Sequence, residues 1–372
     1  MAAATVILRP PLRGVPVPNP ARSDAMLAAL RLVAPGRPLR EGLDRILQAR
    51  MGALVVVGDG PEVLRICSGG FLLDADFSPQ RLSELAKMDG AIILSADATR
   101  IARANVHLVP DPDIPTSETG TRHRTAERVG RQVDVPTITV SEDMSVVAIH
   151  RRGEKRQLEP VARVLARADQ AMQILERYRA RLEAMTTSLS ALEIEDLVTW
   201  RDVAATVQRA EMVRRIAEEI EEYVVELGTD GRLVLLQLEE LMAGVEEDHL
   251  HLIEDYRGAD APEVTAIAQR LADLDTEELV DVVDVAEVLG HGADPGLDSG
   301  VRPRGVRLLA RIPRLPEAVA EAVVAHFGSL ARIMRASLDE LTDVEGVGDV
   351  RAQTIKEGLA RLAEASILER YS

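Results

Sequence analysis

Apolar positions follow three successive rhythms along the chain. Up to about residue 150, short apolar runs alternate with polar stretches. Leu27, Leu30, Leu32 and Val33, then Leu39, Leu43, Ile46 and Leu47, flank Pro35-Gly36-Arg37-Pro38 and predict two short amphipathic helices. Apolar runs at 53–57, 63–66, 91–94, 137–140 and 146–149 predict strands, and Gly58-Asp59-Gly60-Pro61 between the first two predicts a hairpin. Residues 79–88 and 125–132 read as helices. Residues 100–108 lead through Pro110, Pro112 and Pro115 into a polar loop. The alternation predicts an α/β domain over 1–150, a mixed sheet with flanking helices, preceded by a loose Pro- and Arg-rich arm over 1–22.

Beyond residue 154 the period lengthens. Val161, Leu165, Ala168, Met172, Leu175, Arg179 and Leu182 step by four and three, a seam broken only at Arg179. Val203, Val207, Ala210, Val213, Ala217, Ile220, Val224 and Leu227 repeat it, and Ser190 with Glu193 predicts a capping box between the two helices. Such stripes read as core faces in preference to an intermolecular coiled coil. Residues 151–300 are thus an all-α spine, with a hinge expected over 291–305. Residues 301–372 form a small all-α domain of two helix-hairpin-helix units. The clearer unit turns at Val344-Glu345-Gly346-Val347-Gly348, where glycines leave backbone amides free for a phosphate and Arg351 and Lys356 add charge. The other carries Pro313-Arg314-Leu315-Pro316 where a Gly-hydrophobic-Gly turn is expected, with Arg311 and Arg314 near.

Composition sharpens this division. Apolar residues make up 46% of 372, enough for sizeable cores, yet aromatics are only 2%, which favours helices and small α/β layers over a β-sandwich. The net charge of −17 argues against nucleic acid until it is divided. Residues 1–150 carry 17 basic and 17 acidic side chains, 151–300 carry 16 and 34, and 301–372 carry 11 and 10. Nearly all the acidity lies in the spine, so the tail remains open to DNA. The single cysteine, Cys67, excludes an intramolecular disulfide and a Cys-rich zinc site, and reads as a packed strand-end thiol. No apolar run is long enough to span a membrane, and residues 2–8 are too short for a secretory core, so the expected location is cytoplasmic.

Candidate chemistry concentrates in two stretches. Lys87-Met88-Asp89-Gly90-Ala91-Ile92-Ile93-Leu94 sets a lone carboxylate at the head of a buried strand. Ser117-Glu118-Thr119-Gly120-Thr121-Arg122-His123-Arg124-Thr125 packs two guanidiniums, an imidazole and four hydroxyls into nine residues, a density suited to polyphosphate. A carboxylate opposite them could hold a divalent cation or orient a hydroxyl. The alternative reading of the second stretch is a solvated polar loop.

Asp89-Gly90-Ala91 and Arg122-His123-Arg124 resemble the paired signatures of the diadenylate cyclase domain. Gly52-Ala53-Leu54-Val55-Val56-Val57-Gly58-Asp59-Gly60, Cys67-Ser68-Gly69-Gly70-Phe71 and Ser141-Glu142-Asp143 fit the same family. With the hairpin tail, the whole chain resembles the bacterial DNA integrity scanning family. The resemblance implies condensation of two ATP into cyclic di-adenosine monophosphate (c-di-AMP) with release of two pyrophosphates, across facing subunits. It implies catalytic roles for Asp89, Arg122, His123 and Arg124, and a nucleotide pocket of Gly69, Gly70, Asp89, Gly90, Ala91, Leu108, Thr121, Arg122, His123, Arg124 and Thr125. Mg²⁺ or Mn²⁺ would be held by Asp89 and Glu142. Branched DNA, such as recombination intermediates, would meet Gly346, Val347, Gly348, Arg351 and Arg314, and would suppress synthesis in a nucleoid-associated homo-octamer. The competing reading is a DNA-junction scaffold whose head only senses nucleotide. Intact Asp89 and both arginines weigh against it.

Overall fold

The computed structural model describes residues 23–142, 144–258, 261–292 and 296–370. The arm expected over 1–22 lies outside them, as does Asp143. The first part of the chain runs α1 (Asp24–Leu32), α2 (Pro38–Gln48), β1 (Ala53–Val57), α3 (Pro61–Arg65), β2 (Cys67–Ser68), β3 (Phe71–Asp76), α4 (Pro79–Leu85), β4 (Ala91–Leu94), β5 (Arg100–Leu108), α5 (Thr121–Gln132), β6 (Thr137–Ser141), β7 (Val146–Arg151) and β8 (Glu154–Gln157). The sheet has the order β2-β5-β4-β1-β6-β7-β8, with β3 also on β5. Among the described residues only β1 and β4 pair in parallel. Every residue of β1 and of β4 is buried, which is why both read as unbroken apolar runs: each is covered on both faces. One face packs on α1, α2 and α4 through Leu30, Leu43, Ile46 and Leu82, the other on α5 through Ala126 and Val129.

One local expectation fails here, and one strand had no expectation at all. The hairpin predicted at 58–61 is a strand followed by helix α3, because Pro61 occupies the first helical position, where its fixed φ and missing N–H are tolerated, and Glu62 sits in the first turn. Strand β3 escapes sequence reading because Phe71, Leu72 and Leu73 are consecutive and all exposed, so no alternation marks it. Cys67 is half-buried in β2 with Sγ–H donating to the Val63 carbonyl at 3.2 Å, and burial pushes its thiol pKa up, as expected of an inert packed thiol.

The helical remainder comprises α6 (Val161–Glu195), α7 (Trp200–Leu227), α8 (Arg232–Met242), α9 (Val245–Tyr256), α10 (Val264–Asp273), α11 (Thr276–Val280), α12 (Val282–Val288), α13 (Val306–Ala310), α14 (Glu317–Phe327), α15 (Leu330–Arg335), α16 (Leu338–Thr342) and α17 (Asp349–Arg370). The chain divides into two compact units, residues 21–173 with 218–240, and residues 174–217 with 241–372. Ala168 and Leu175 of α6 and Val203, Val207, Val213 and Ile220 of α7 are buried, so both stripes are core faces within the chain. In the second unit Val203, Val207, Ile253, Ile267 and Leu289 form one core, and Leu309, Val323, Ile333, Leu341 and Ile355 a second under the hairpins.

Ser190 and Glu193 are not a capping box. Both are buried inside α6, where Arg307 Nη2 donates to Ser190 Oγ at 3.1 Å and forms an ion pair with Glu193. The same Ser-x-x-Glu spacing that closes a helix start places both side chains on one face of a continuing helix. Nor do the described parts of 291–305 form a free hinge. Trp200 and Arg201 amides donate to Ser299 and Leu297 carbonyls, Val301 donates to Val198, and Gly305, Val306 and Arg307 amides donate to the buried Asp255 carboxylate.

Candidate functional site

Sheet register assembles the site. β1 and β4 run parallel with Val55 beside Ile92, so continuing the pairing sets Gly52 beside Asp89. β1 and β6 are antiparallel with Ala53 beside Val140, so Ser141 and the exposed turn at Glu142 flank Gly52 on its other side. Asp89 therefore stands at one end of the sheet centre. Arg-His-Arg is not in a loop, as expected, but on the first turn of α5, which begins at Thr121 because Gly120 already has extended, N-cap dihedrals. Gly120 offers no capping side chain, and among the described residues the amides of Thr121, Arg122 and His123 meet no acceptor at this helix N-terminus.

The two signatures meet. Arg122 Nη2 donates to Asp89 Oδ1 at 2.6 Å, across 33 residues of chain. The guanidinium reaches Asp89 over Gly52: a Cβ there would lie 2.2 Å from Arg122 Nη1. The bare glycine leaves room for the arginine's passage. Asp89 itself is 93% exposed, so its carboxylate is open to a ligand. Arg124 Nη2 donates back to the Thr119 carbonyl, Thr121 is exposed, and His123 and Thr125 are half-buried.

A second convergence joins the glycines. β2 and β3 are one line of chain antiparallel to β5, with Ser68 beside His107 and Phe71 beside Ala104, broken at Gly69-Gly70. Both glycines have positive φ, +65° and +76°. A Cβ on Gly70 would meet the Ala104 and Asn105 carbonyls, and one on Gly90 would meet the Asn105 backbone at 2.4 Å. Asn105, at φ +52°, thus kinks β5 between the two glycines and brings the Gly69-Gly70 turn next to Gly90. Ala91, paired with Val106, and Leu108 are both buried just after this kink along β5. Sequence reading missed Asn105, although asparagine is among the non-glycine residues most tolerant of a left-handed kink. It also missed Glu127. That buried carboxylate accepts from Thr116 Oγ1 at 2.6 Å, the Ser117 amide at 3.0 Å and Arg131 at 2.7 Å, tying the proline-rich segment to α5. Burial opposes its ionisation, but those donors hold its pKa below the usual carboxylate range.

Among the described residues no three His, Cys, Asp or Glu side chains cluster to enclose a metal. The donor set at Asp89, one exposed carboxylate, fits a hard cation that arrives with phosphates and keeps much of its water, and does not fit an all-protein cage.

In the tail the two hairpins share one turn. Val347 N–H donates to the Val344 carbonyl with Gly346 at φ +81°, and Leu315 N–H donates to the Ile312 carbonyl with Arg314 at φ +67°. Arg314 therefore holds the left-handed position a glycine was expected to fill, and it is exposed. Gly348 is open, with nothing within 4 Å of a built Cβ, and precedes the N-terminus of α17. Val347 is buried, so only its backbone faces outward. Arg351 Nη1 donates to the Gly346 carbonyl at 2.5 Å and braces the turn. Lys356 is tied to the Met334 and Ala336 carbonyls, and Arg311 to Asp248, so neither stands free as the sequence reading had them.

Family models match all three regions. "DisA bacterial checkpoint controller nucleotide-binding" matches 40–155, "DisA bacterial checkpoint controller linker region" 158–296, and "SAM-like Helix-hairpin-helix tandem" 306–361. The chain is 54% identical to the DNA integrity scanning protein DisA of Streptomyces avermitilis, covering 93% of this chain and 94% of that one. It is 53% identical to DisA of Frankia alni, covering 95% and 99%, and 53% identical to DisA of Kineococcus radiotolerans, covering 95% and 100%. A crystal structure of a DacA double mutant from Staphylococcus aureus aligns with 36% of this chain and 89% of that one, at 24% identity and a TM-score of 0.28.

Proposed function

This chain belongs to the DisA family of DNA integrity scanning proteins, and from that premise we propose how its head and tail work. The head is a diadenylate cyclase. Two heads face each other, each holding one ATP. The ribose 3′-oxygen of one ATP gives up its proton to the solvent and attacks the α-phosphorus of the other. A 3′-O–P bond forms, the bond from α-phosphorus to the bridging oxygen breaks, and pyrophosphate leaves. The reciprocal step closes c-di-AMP. Such a reaction asks the protein for alignment and charge neutralisation more than for covalent chemistry.

The observation that carries this reading is the Arg122–Asp89 contact over Gly52. It supports a single site in which the free amides of α5 with Arg122, His123, Arg124, Thr121 and Thr125 hold phosphates, and Asp89 orients the 3′-hydroxyl. Gly69, Gly70, Gly90, Ala91 and Leu108 line the nucleotide around the Asn105 kink. A divalent cation, Mg²⁺ or Mn²⁺, would be held by Asp89 with Glu142 nearby, and would supply Lewis-acid neutralisation of the phosphates. Facing heads require at least a dimer. Exposed Phe71, Leu72 and Leu73 beside Gly70 support an apolar contact there, and the octamer implied by the family resemblance would gather four such pairs.

DNA, branched in preference to plain duplex, would meet the backbone at Gly346, Val347 and Gly348 and the exposed Arg314, with Arg351 bracing the turn. Bound DNA would suppress synthesis, and a DNA partner would set the molecule at the nucleoid in the cytoplasm. Among the described residues no helix is long and apolar enough to cross a membrane. The test is incubation with ATP and either cation, with products identified by mass. The expected products are c-di-AMP and pyrophosphate. Saturable ATP binding without product would instead make the chain a nucleotide-sensing scaffold.

A further inference from the structure

A cavity of about 290 Å³ lies within the second unit, between α6, α7, α9 and the residues of α13 and just after it. Three guanidiniums, Arg179, Arg307 and Arg311, line it together with His249, against aliphatic side chains. Arg179 is the residue that breaks the apolar seam of α6. Its Nε donates to the Leu241 carbonyl at 3.2 Å, and among the described residues no carboxylate forms an ion pair with it. Arg311 reaches Asp248 at 2.9 Å. The lining's other carboxylate, Glu183, is exposed.

Arg307 is 1% exposed and His249 5%. Arg307 spends Nη2 on Glu193 and Ser190, while its Nε and Nη1 meet no acceptor on the protein, nor does His249 Nε2 meet a partner. Leaving buried donors unpaired is costly, more so when they are charged. Burial holds the His249 pKa down at about 4, so the imidazole beside the guanidiniums is neutral. The wall is therefore rich in guanidinium donors, two of them unpaired on Arg307, a set suited to a multiply charged acceptor, and the volume sits at the small end of ligand sites, about 300 Å³ and upward.

From this geometry we propose that the cavity binds a phosphoryl anion, either inorganic phosphate or the phosphate end of a small nucleotide, between the linker helices and the start of the first tail hairpin. Arg307 and Arg311 lie on and just after α13, so an occupant would bind that hairpin more firmly to α6 and α9. This site is separate from the nucleotide pocket of the head.

The test uses the full-length chain with its heads saturated by 3′-deoxy-ATP, which lacks the attacking hydroxyl. Inorganic phosphate and AMP are titrated separately by calorimetry at constant ionic strength, on wild type, Arg311→Gln and Arg179→Gln. Both substituted side chains are only partly buried, so the variants retain the fold. Saturable binding of at least one probe is expected, weakened about tenfold or more in each variant by loss of a charge-assisted hydrogen bond. Tighter binding of phosphate than AMP would identify the free anion as occupant, and the reverse a nucleotide. No binding of either probe at millimolar concentration, or binding indifferent to both substitutions, would overturn the proposal and leave a cavity filled by water alone.

Discussion

Gly52 shows how much one missing side chain can carry. Its hydrogen leaves the path by which Arg122 reaches Asp89, and the atom an added Cβ would meet is the far end of a flexible chain. Gly52→Ala should therefore leave the thermal midpoint nearly unchanged while displacing the guanidinium by about 1 Å, a misplacement that can cost about a hundredfold in rate. Turnover and circular dichroism on the same sample check both halves, and undiminished turnover would remove Gly52 from the account. His150 makes a different single-residue case. Burial on β7 holds its pKa down at about 4 from 6.5, so between those values the unfolded chain binds the extra proton. Stability of the head should thus fall as pH drops from about 7 toward 4, since ∂ΔG/∂pH is positive wherever the unfolded state binds more protons. His150→Leu should flatten that slope in urea melts of the head transition. An unchanged slope would mean that other groups set it.

At the scale of elements, the shared turn of the two hairpins separates the roles of the tail glycines. Gly346 is held at φ +81°, where any side chain strains the turn, whereas Gly348 faces open space without that constraint. Gly348→Glu should preserve the fold yet weaken DNA binding about tenfold or more across all sequences, by setting a carboxylate against phosphates. Gly348→Ala should do much less. Fluorescence anisotropy over a salt series measures both, and equal affinity for Gly348→Glu and wild type would take the turn out of the interface. Much of this architecture was legible beforehand. The buried runs of β1 and β4 and the stripes of α6 and α7 carry strong periodic signals, and the paired tripeptides picked out residues that meet in the fold. What was not legible depended on partners far along the chain. Arg-His-Arg reads as a loop until Gly120 is seen to cap a helix, and Ser190 with Glu193 reads as a cap until Arg307 arrives from 114 residues away. The pinch on Asn105 needs two neighbouring strands at once. Local pattern encodes elements, while long-range pairing decides what their polar residues do.

At the scale of the whole molecule, the proposed function couples paired heads to tails that hold DNA. A four-way junction should suppress c-di-AMP synthesis by wild type and spare Gly348→Glu at the same junction concentration. Deleting the tail is a poorer test, because Arg307 is the buried partner of Glu193, and its removal would strand that charge. Equal inhibition of both proteins would break the link between hairpin and head. The most direct measurement concerns the pairing itself. Asp89→Asn, which should fold and yield no product, is mixed in equal amount with wild type and allowed to exchange subunits. If every productive unit needs two competent heads, random pairing leaves about a quarter of pairs active, so synthesis should fall to about a quarter of that of the same total of wild type. Synthesis at about one half, as simple dilution requires, would contradict condensation across facing subunits.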